Sequence, residues 1–416
     1  MKAFKILLLV VATLMVADFA FAQTWTPTST PNRIWEGVAS SADGSKLIAV
    51  GQSWIYCTST NSGATWITNT EPQALSYGSW GSIVSSADGT KLLAGTFGSA
   101  IWISTNSGIT WVSNNVPGVF RWASITSSAD GNKLAGVSGY SSPLGLAYTS
   151  TNGGMTWAQA NAPTNYWYCI ASSADGNTLI AGTVGYGTVG GFLYLSTDSG
   201  STWTLANIPT NNSWGSVASS ADGTKLVAVS ATYVINPPLP PQGNGIQLLG
   251  LIYTSKDSGV TWTSNNVPRS NWQSVASSAD GNKLVVVSQN GLIYTSTNSG
   301  ATWISNSVPN LVWTCVASSA DGNKLIAAPF ADQSFNPNQI YISHTTPSPQ
   351  LNLASSSTNF TLAWTVPSTN FVLQQSSDLT SWVDMPNPPV LNLTNLQNEV
   401  MLSPSNRSGF YRLKTP

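Results

Sequence analysis

Few side chains in this chain of 416 residues could do chemistry. Charged residues make up 7% of it, Lys+Arg 15 nearly cancels Asp+Glu 16, and His344 is the single histidine. Cys57, Cys169 and Cys315 are too far apart in sequence to form, with one histidine, the ligand spacing of a zinc, haem or iron–sulfur site, so no metal or other cofactor is expected. Basic residues are nowhere concentrated enough to track phosphates, which argues against nucleic acid as a partner. What remains is a small ionic set: Arg33, Arg121 and Arg269, with Glu36, Glu71 and Asp332. Guanidinium forks can hold a carboxylate bidentately. Paired carboxyl groups at a set separation can hydrolyse a glycosidic bond, but nothing in the spacing of Glu36 and Glu71 sets such a separation. Aromatic residues near these charges, among them Tyr77, Tyr166 and Tyr168, suit stacking against a sugar ring or a peptide segment.

The elements that must position these residues are repeats. Ser-Ser-Ala-Asp-Gly recurs seven times, with its aspartate at Asp43, Asp88, Asp130, Asp175, Asp222, Asp280 and Asp321. A tryptophan stands eight residues before each aspartate, from Trp35 to Trp313. Turn signals such as Asp280-Gly281, Asn290-Gly291 and Asn298-Ser299-Gly300 divide a unit into four short runs rich in Val, Ile, Tyr and Thr. No segment between residue 23 and the C-terminus sustains a 3.6-residue apolar period, so helices should be nearly absent. Seven four-stranded units of this length predict an all-β, seven-bladed β-propeller spanning residues 23–346.

Six units contain Ser-x-Asn/Asp-x-Gly-x-Thr-Trp, from Ser59–Trp66 to Ser296–Trp303, and the seventh ends after Ile340-Tyr341-Ile342-Ser343 without it. The missing Thr-Trp stands instead at Thr24-Trp25. Residues 24–29 are therefore expected to supply the outermost strand of the last blade and close the ring.

This octapeptide resembles the Asp-box, or bacterial neuraminidase repeat, of sialidase-like propellers, and the resemblance covers roughly residues 24–344. It implies a structural role for the boxes, with the Asp or Asn oxygen capping turn amides. It also implies that Arg33, Arg121 and Arg269 could hold a sugar carboxylate as the sialidase arginine cluster does. Arg33-Ile34 stands where that family has Arg-Ile-Pro, but Trp35 replaces the proline, and no tyrosine nucleophile with a partner glutamate can be identified. The chain is also similar in size and blade number to the photosystem II assembly factor type of propeller, which implies a non-catalytic role in protein binding.

Propeller connectivity puts the Asp-Gly turns and the boxes on one face and the irregular connections on the other. Ser138–Ala147, Thr183–Phe192, Ser230–Leu249 with its proline run, and Pro329–Gln339 all belong to this variable face, where binding residues are expected. The candidate site is Arg33, Glu36, Glu71, Tyr77, Arg121, Tyr166, Tyr168, Arg269 and Asp332, all in or beside such segments.

Residues 1–22, with Lys2 and Lys5, the apolar run Ile6–Val16 and Ala20-Phe21-Ala22, read as a signal peptide cleaved before Gln23. No later run is long enough to span a membrane. Export as a soluble monomer is expected, secreted, periplasmic or at the cell surface. The cysteines are read as free thiols in small-residue positions. Residues 347–416, after Pro347-Ser348-Pro349, read as a β-sandwich of fibronectin-like type around Trp364, Phe371, Leu373, Trp382 and Phe410, serving attachment or spacing. The sequence favours a non-catalytic propeller binding a glycan or a protein through its variable face; the alternative is an exo-acting sialidase-type hydrolase.

Overall fold

The computed structural model describes residues 23–416, except 71–78, 99, 117–120, 140–144, 186–189, 209–211, 232, 236–245, 249, 266, 331–338, 346–350, 356–359, 366–371, 378–379, 387, 393–396, 403–409 and 415–416. Seven four-stranded antiparallel sheets follow one another along the chain, and no helix occurs among the described residues. Blade 1 comprises Trp35–Ser40, Leu47–Gly51, Ile55–Ser59 and Ile67–Thr70. The first strands of blades 2 to 7 start at Trp80, Trp122, Trp167, Ser213, Trp272 and Trp313. Each opening tryptophan pairs with the end of the second strand, and the register then skips one residue, as where Trp35 pairs with Gly51 and Gly37 with Val50. The skipped residue, Glu36 in blade 1 and its counterparts Gly81, Ala123, Tyr168, Gly215, Gln273 and Thr314, stands outside the ladder as a β-bulge.

The first turn of each blade explains why Ser-Ser-Ala-Asp-Gly repeats. In blade 1 the Ser41 hydroxyl donates to Asp43 Oδ1 at 2.6 Å, which also accepts the Ser45 N–H at 2.9 Å, while Gly44 sits at φ 63°, where a glycine avoids strain. The alanines make the ring. Ala42 N–H donates to Ala87 O, Ala87 to Ala129, Ala129 to Ala174, Ala174 to Ala221, Ala221 to Ala279, Ala279 to Ala320, and Ala320 back to Ala42, at 2.6–2.8 Å. This collar is a closed circle of backbone hydrogen bonds around the propeller axis. A lysine three residues after the aspartate ties neighbouring blades: Lys46 reaches Asp88 O at 2.9 Å and Lys324 reaches Asp43 O at 3.0 Å, their stems lying on the turn glycines. Blade 4 has Thr178 in place of that lysine.

Packing between blades is apolar. Trp80, 0% exposed, lies between Ile48, Val50 and Tyr56 of blade 1 and Ile83, Leu92 and Ala94 of blade 2, and the other opening tryptophans repeat this arrangement. Trp25–Pro27 pairs with Tyr341–Ser343 as the fourth strand of blade 7, with Trp25 buried among Val285, Ile293, Trp313 and Tyr341. The expected closure of the ring is thus observed. All three cysteines are free.

Beyond the ring, Asn352–Ser355, Phe360–Thr365, Gln397–Leu402 and Val390–Asn392 form one sheet and Val383–Asp384, Val372–Ser376 and Phe410–Lys414 a second. Leu362, Trp364, Leu373 and Val400 form their shared core. Trp382, expected in that core, is half-buried with the Arg412 guanidinium 4.2 Å above its ring; nothing is described of the Phe371 and Phe410 side chains, also expected there. The strand Val390–Asn392 was not foreseen from the sequence.

Candidate functional site

The hydrogen bonds separate two faces. In each of blades 1 to 6 the box returns to the Asp-Gly turn, as where Ser62 N–H donates to Ser45 O and Ser299 N–H to Asn282 O, so both turns lie on one side of the blade. Inside a box, Ser59 Oγ accepts from Gly63 N–H and Asn61 Oδ1 from Thr65 N–H, each at 2.9 Å. Hydrogen bonds from Thr202 and Thr261 hold the Asp198 and Asp257 carboxyls at about 2. These groups are committed to turn geometry.

The opposite face is irregular, and its described part is richest at blades 1 to 3. The bulge frees Glu36 from the ladder beside the end of the second strand, where Gln52 Nε2 donates to Glu36 Oε1 at 3.0 Å. The chain then turns through Ser53 and Trp54, both left-handed at φ 60° and 61°, a conformation suited to Asn-Gly and strained for serine and tryptophan. The strained turn lays the Trp54 ring edge-on to Trp80 at 5.2 Å and Trp102 at 6.1 Å. In blade 2, Phe97 follows the second strand. Its ring lies over Gly81, where a Cβ would come within 3.1 Å, so the glycine makes room for it. The Arg121 guanidinium lies over the Phe97 ring, 4.3 Å from its centroid, a cation–π contact.

Arg121 of blade 3 is within electrostatic reach of Glu36 of blade 1. Burial raises the Glu36 carboxyl above its ordinary value, against the Gln52 hydrogen bond and the positive field of Arg121. Glu36 also acts toward blade 7: burial pushes the Cys315 thiol up to about 12, with the Glu36 charge adding to the effect. One carboxylate is therefore felt from blade 3 and from blade 7, as expected of a group near the axis. Blade 6 carries its own chain of amides, Gln273 Nε2 donating to Asn271 Oδ1 at 3.1 Å and Asn271 Nδ2 to Gln289 Oε1 at 2.5 Å.

Arg33 and Arg269 are exposed. Tyr166 and Tyr168 are half-buried, Tyr168 against the core between blades 4 and 5. Glu71, Tyr77 and Asp332 lie outside the described residues, as does most of Ser230–Leu249, of which, beyond Ala231, only the hairpin Tyr233–Ile235 with Ile246–Leu248 is described. Gln52 and Trp54 were missed by sequence reasoning. Their one signal is the lack of a glycine at the second hairpin turn of blade 1.

Solved propeller structures match this fold. YCF48 bound to D1 peptide is similar with a TM-score of 0.57 at 14% identity, over 79% of this chain and 98% of that one. YCF48 from Cyanidioschyzon merolae is similar with a TM-score of 0.57 at 14% identity, over 78% and 99%. No family model and no curated protein matches the sequence.

Proposed function

We propose that this chain is an exported, non-catalytic propeller that binds a segment of a partner protein across the axial mouth of its variable face. The observation that carries the reading is the set Glu36, Gln52, Phe97 and Arg121. It draws an acceptor, an amide, an exposed ring and a guanidinium from three blades of one scaffold. An extended peptide presents N–H, C=O and side chains in alternation. These groups offer it donors and acceptors, and the blade 6 amides offer more of both. The likeness to YCF48 bound to D1 peptide supports a peptide as occupant, and the pattern of residues 1–22 supports export.

The test is affinity capture of exported proteins by the wild-type protein and by Arg121→Ala/Phe97→Ala, with a glycan array run in parallel. A partner retained by the wild type and lost from the double variant supports the reading. Equal capture by both, or array hits with no protein partner, refutes it. A fluorogenic sialoside incubated with the protein should release no fluorophore; turnover that Arg121→Ala abolishes would establish the hydrolase instead.

A further inference from the structure

The alanine collar is an interaction surface. Each of its seven alanines both donates and accepts within the circle, so its backbone groups are satisfied and what it presents beside the axis is methyl groups. Ala42, Ala87 and Ala320 are buried there, and Leu391, from the C-terminal module, packs against them together with Ala129 and Ala279.

Two further observations agree. The chain leaves the ring on this face: Thr345 N–H donates to Asn323 O at 2.8 Å, the bond that a box residue makes in the other six blades. From Thr345 to Leu351 the chain can span about 20 Å at most, so the module cannot leave this side of the propeller. The repeats themselves serve as a control. The turn aspartates of blades 2 to 6, Asp88, Asp130, Asp175, Asp222 and Asp280, are exposed, whereas Asp321 and Asp43 of blades 7 and 1 are half-buried in the same turn sequence. Whatever covers those two lies outside the repeat. Consistent with this, burial raises the Asp321 carboxyl, while in blades 1 to 5 hydrogen bonds from the turn outweigh burial and lower it.

We propose that the C-terminal module is a stopper seated on the collar by Leu391, so that the channel is blind at this end and ligands enter from the variable face alone. The proposal is independent of what that face binds.

In the full chain, Leu391→Asp should release the module, increasing the radius of gyration in small-angle scattering. It should also speed protease cleavage between residues 345 and 351 about tenfold, the factor lost with burial of one leucine. Val390→Asp, at a neighbour 70% exposed, should do neither. Because Leu391→Asp could unfold the module itself, Ala129→Glu places the charge on the collar and should release the module equally. Unchanged scattering and cleavage in both Leu391→Asp and Ala129→Glu overturns the proposal, and so does release by Leu391→Asp alone.

Discussion

Replacing Trp25 by alanine tests the closure of the ring where it rests on the fewest residues. Trp25 is 7% exposed and packs at once on blade 6, through Val285 and Ile293, and on blade 7, through Trp313 and Tyr341. The tryptophans in the corresponding place of the other blades, such as Trp66, are only half-buried. Truncating a buried tryptophan costs about 3–5 kcal/mol. The indole N–H of Trp25 is buried without a partner, and losing it returns about 1 kcal/mol, leaving a net loss of about 3 kcal/mol. That is more than a hundredfold in the ratio of folded to unfolded protein. Urea unfolding followed by tryptophan fluorescence measures the loss, and hydrogen exchange locates it: the amides of Ile340–Ser343 should lose protection before those of any other third strand. Thr26→Ala, on the exposed neighbour, serves as control. If Trp25→Ala proves no more harmful than Thr26→Ala, or exchange quickens evenly round the ring, the strand is not the closure and the reasoning fails.

Three further outcomes are expected. Because the Glu36 carboxyl is raised in the folded state, the folded protein binds more protons than the unfolded one just above the ordinary value of 4.5, and stability falls as pH rises through that window. Glu36→Gln should therefore raise the melting temperature at pH 7 and have little effect below pH 4.5; a variant less stable at pH 7 would contradict the burial argument. Thr178→Lys should install the missing clamp between blades 4 and 5, adding about 0.5–1 kcal/mol in chemical denaturation, and a loss would show that this seam is built differently. Ser53→Gly relieves a left-handed serine at φ 60°, and after the entropy cost of glycine should gain about 0.5 kcal/mol, read by the same denaturation; destabilisation would mean that the serine side chain holds the turn.

Much of the ring was legible because its determinants are local and repeated. A tryptophan eight residues before each Asp-Gly gives the blade count, and a stray Thr24-Trp25 locates the closing strand. The members of the candidate site were legible in part. Glu36 and Arg121 stand out in a chain with so few charges, but what joins them is the curvature of the ring, which no spacing along the chain reports. Gln52 and Trp54 were hidden for a different reason: they occupy a turn whose residue types argue against the conformation it adopts. The collar was hidden by ordinariness. Alanine in a repeated phrase reads as a small spacer, and the circle of hydrogen bonds belongs to its backbone, not to its side chain. The seating of Leu391 depends on shape between two separately folded parts, and one leucine in a short strand carries no mark of it.

Both ends of the ring meet in blade 7, since Trp25–Pro27 and Tyr341–Ser343 are partners. Tension applied between the start of the propeller and its exit at Thr345 would load that one sheet first and peel a three-residue strand before stretching any other blade. Mechanically the molecule is a bracelet with a single clasp, and the force it bears before opening is set by those few residues, however firmly the rest of the band is made.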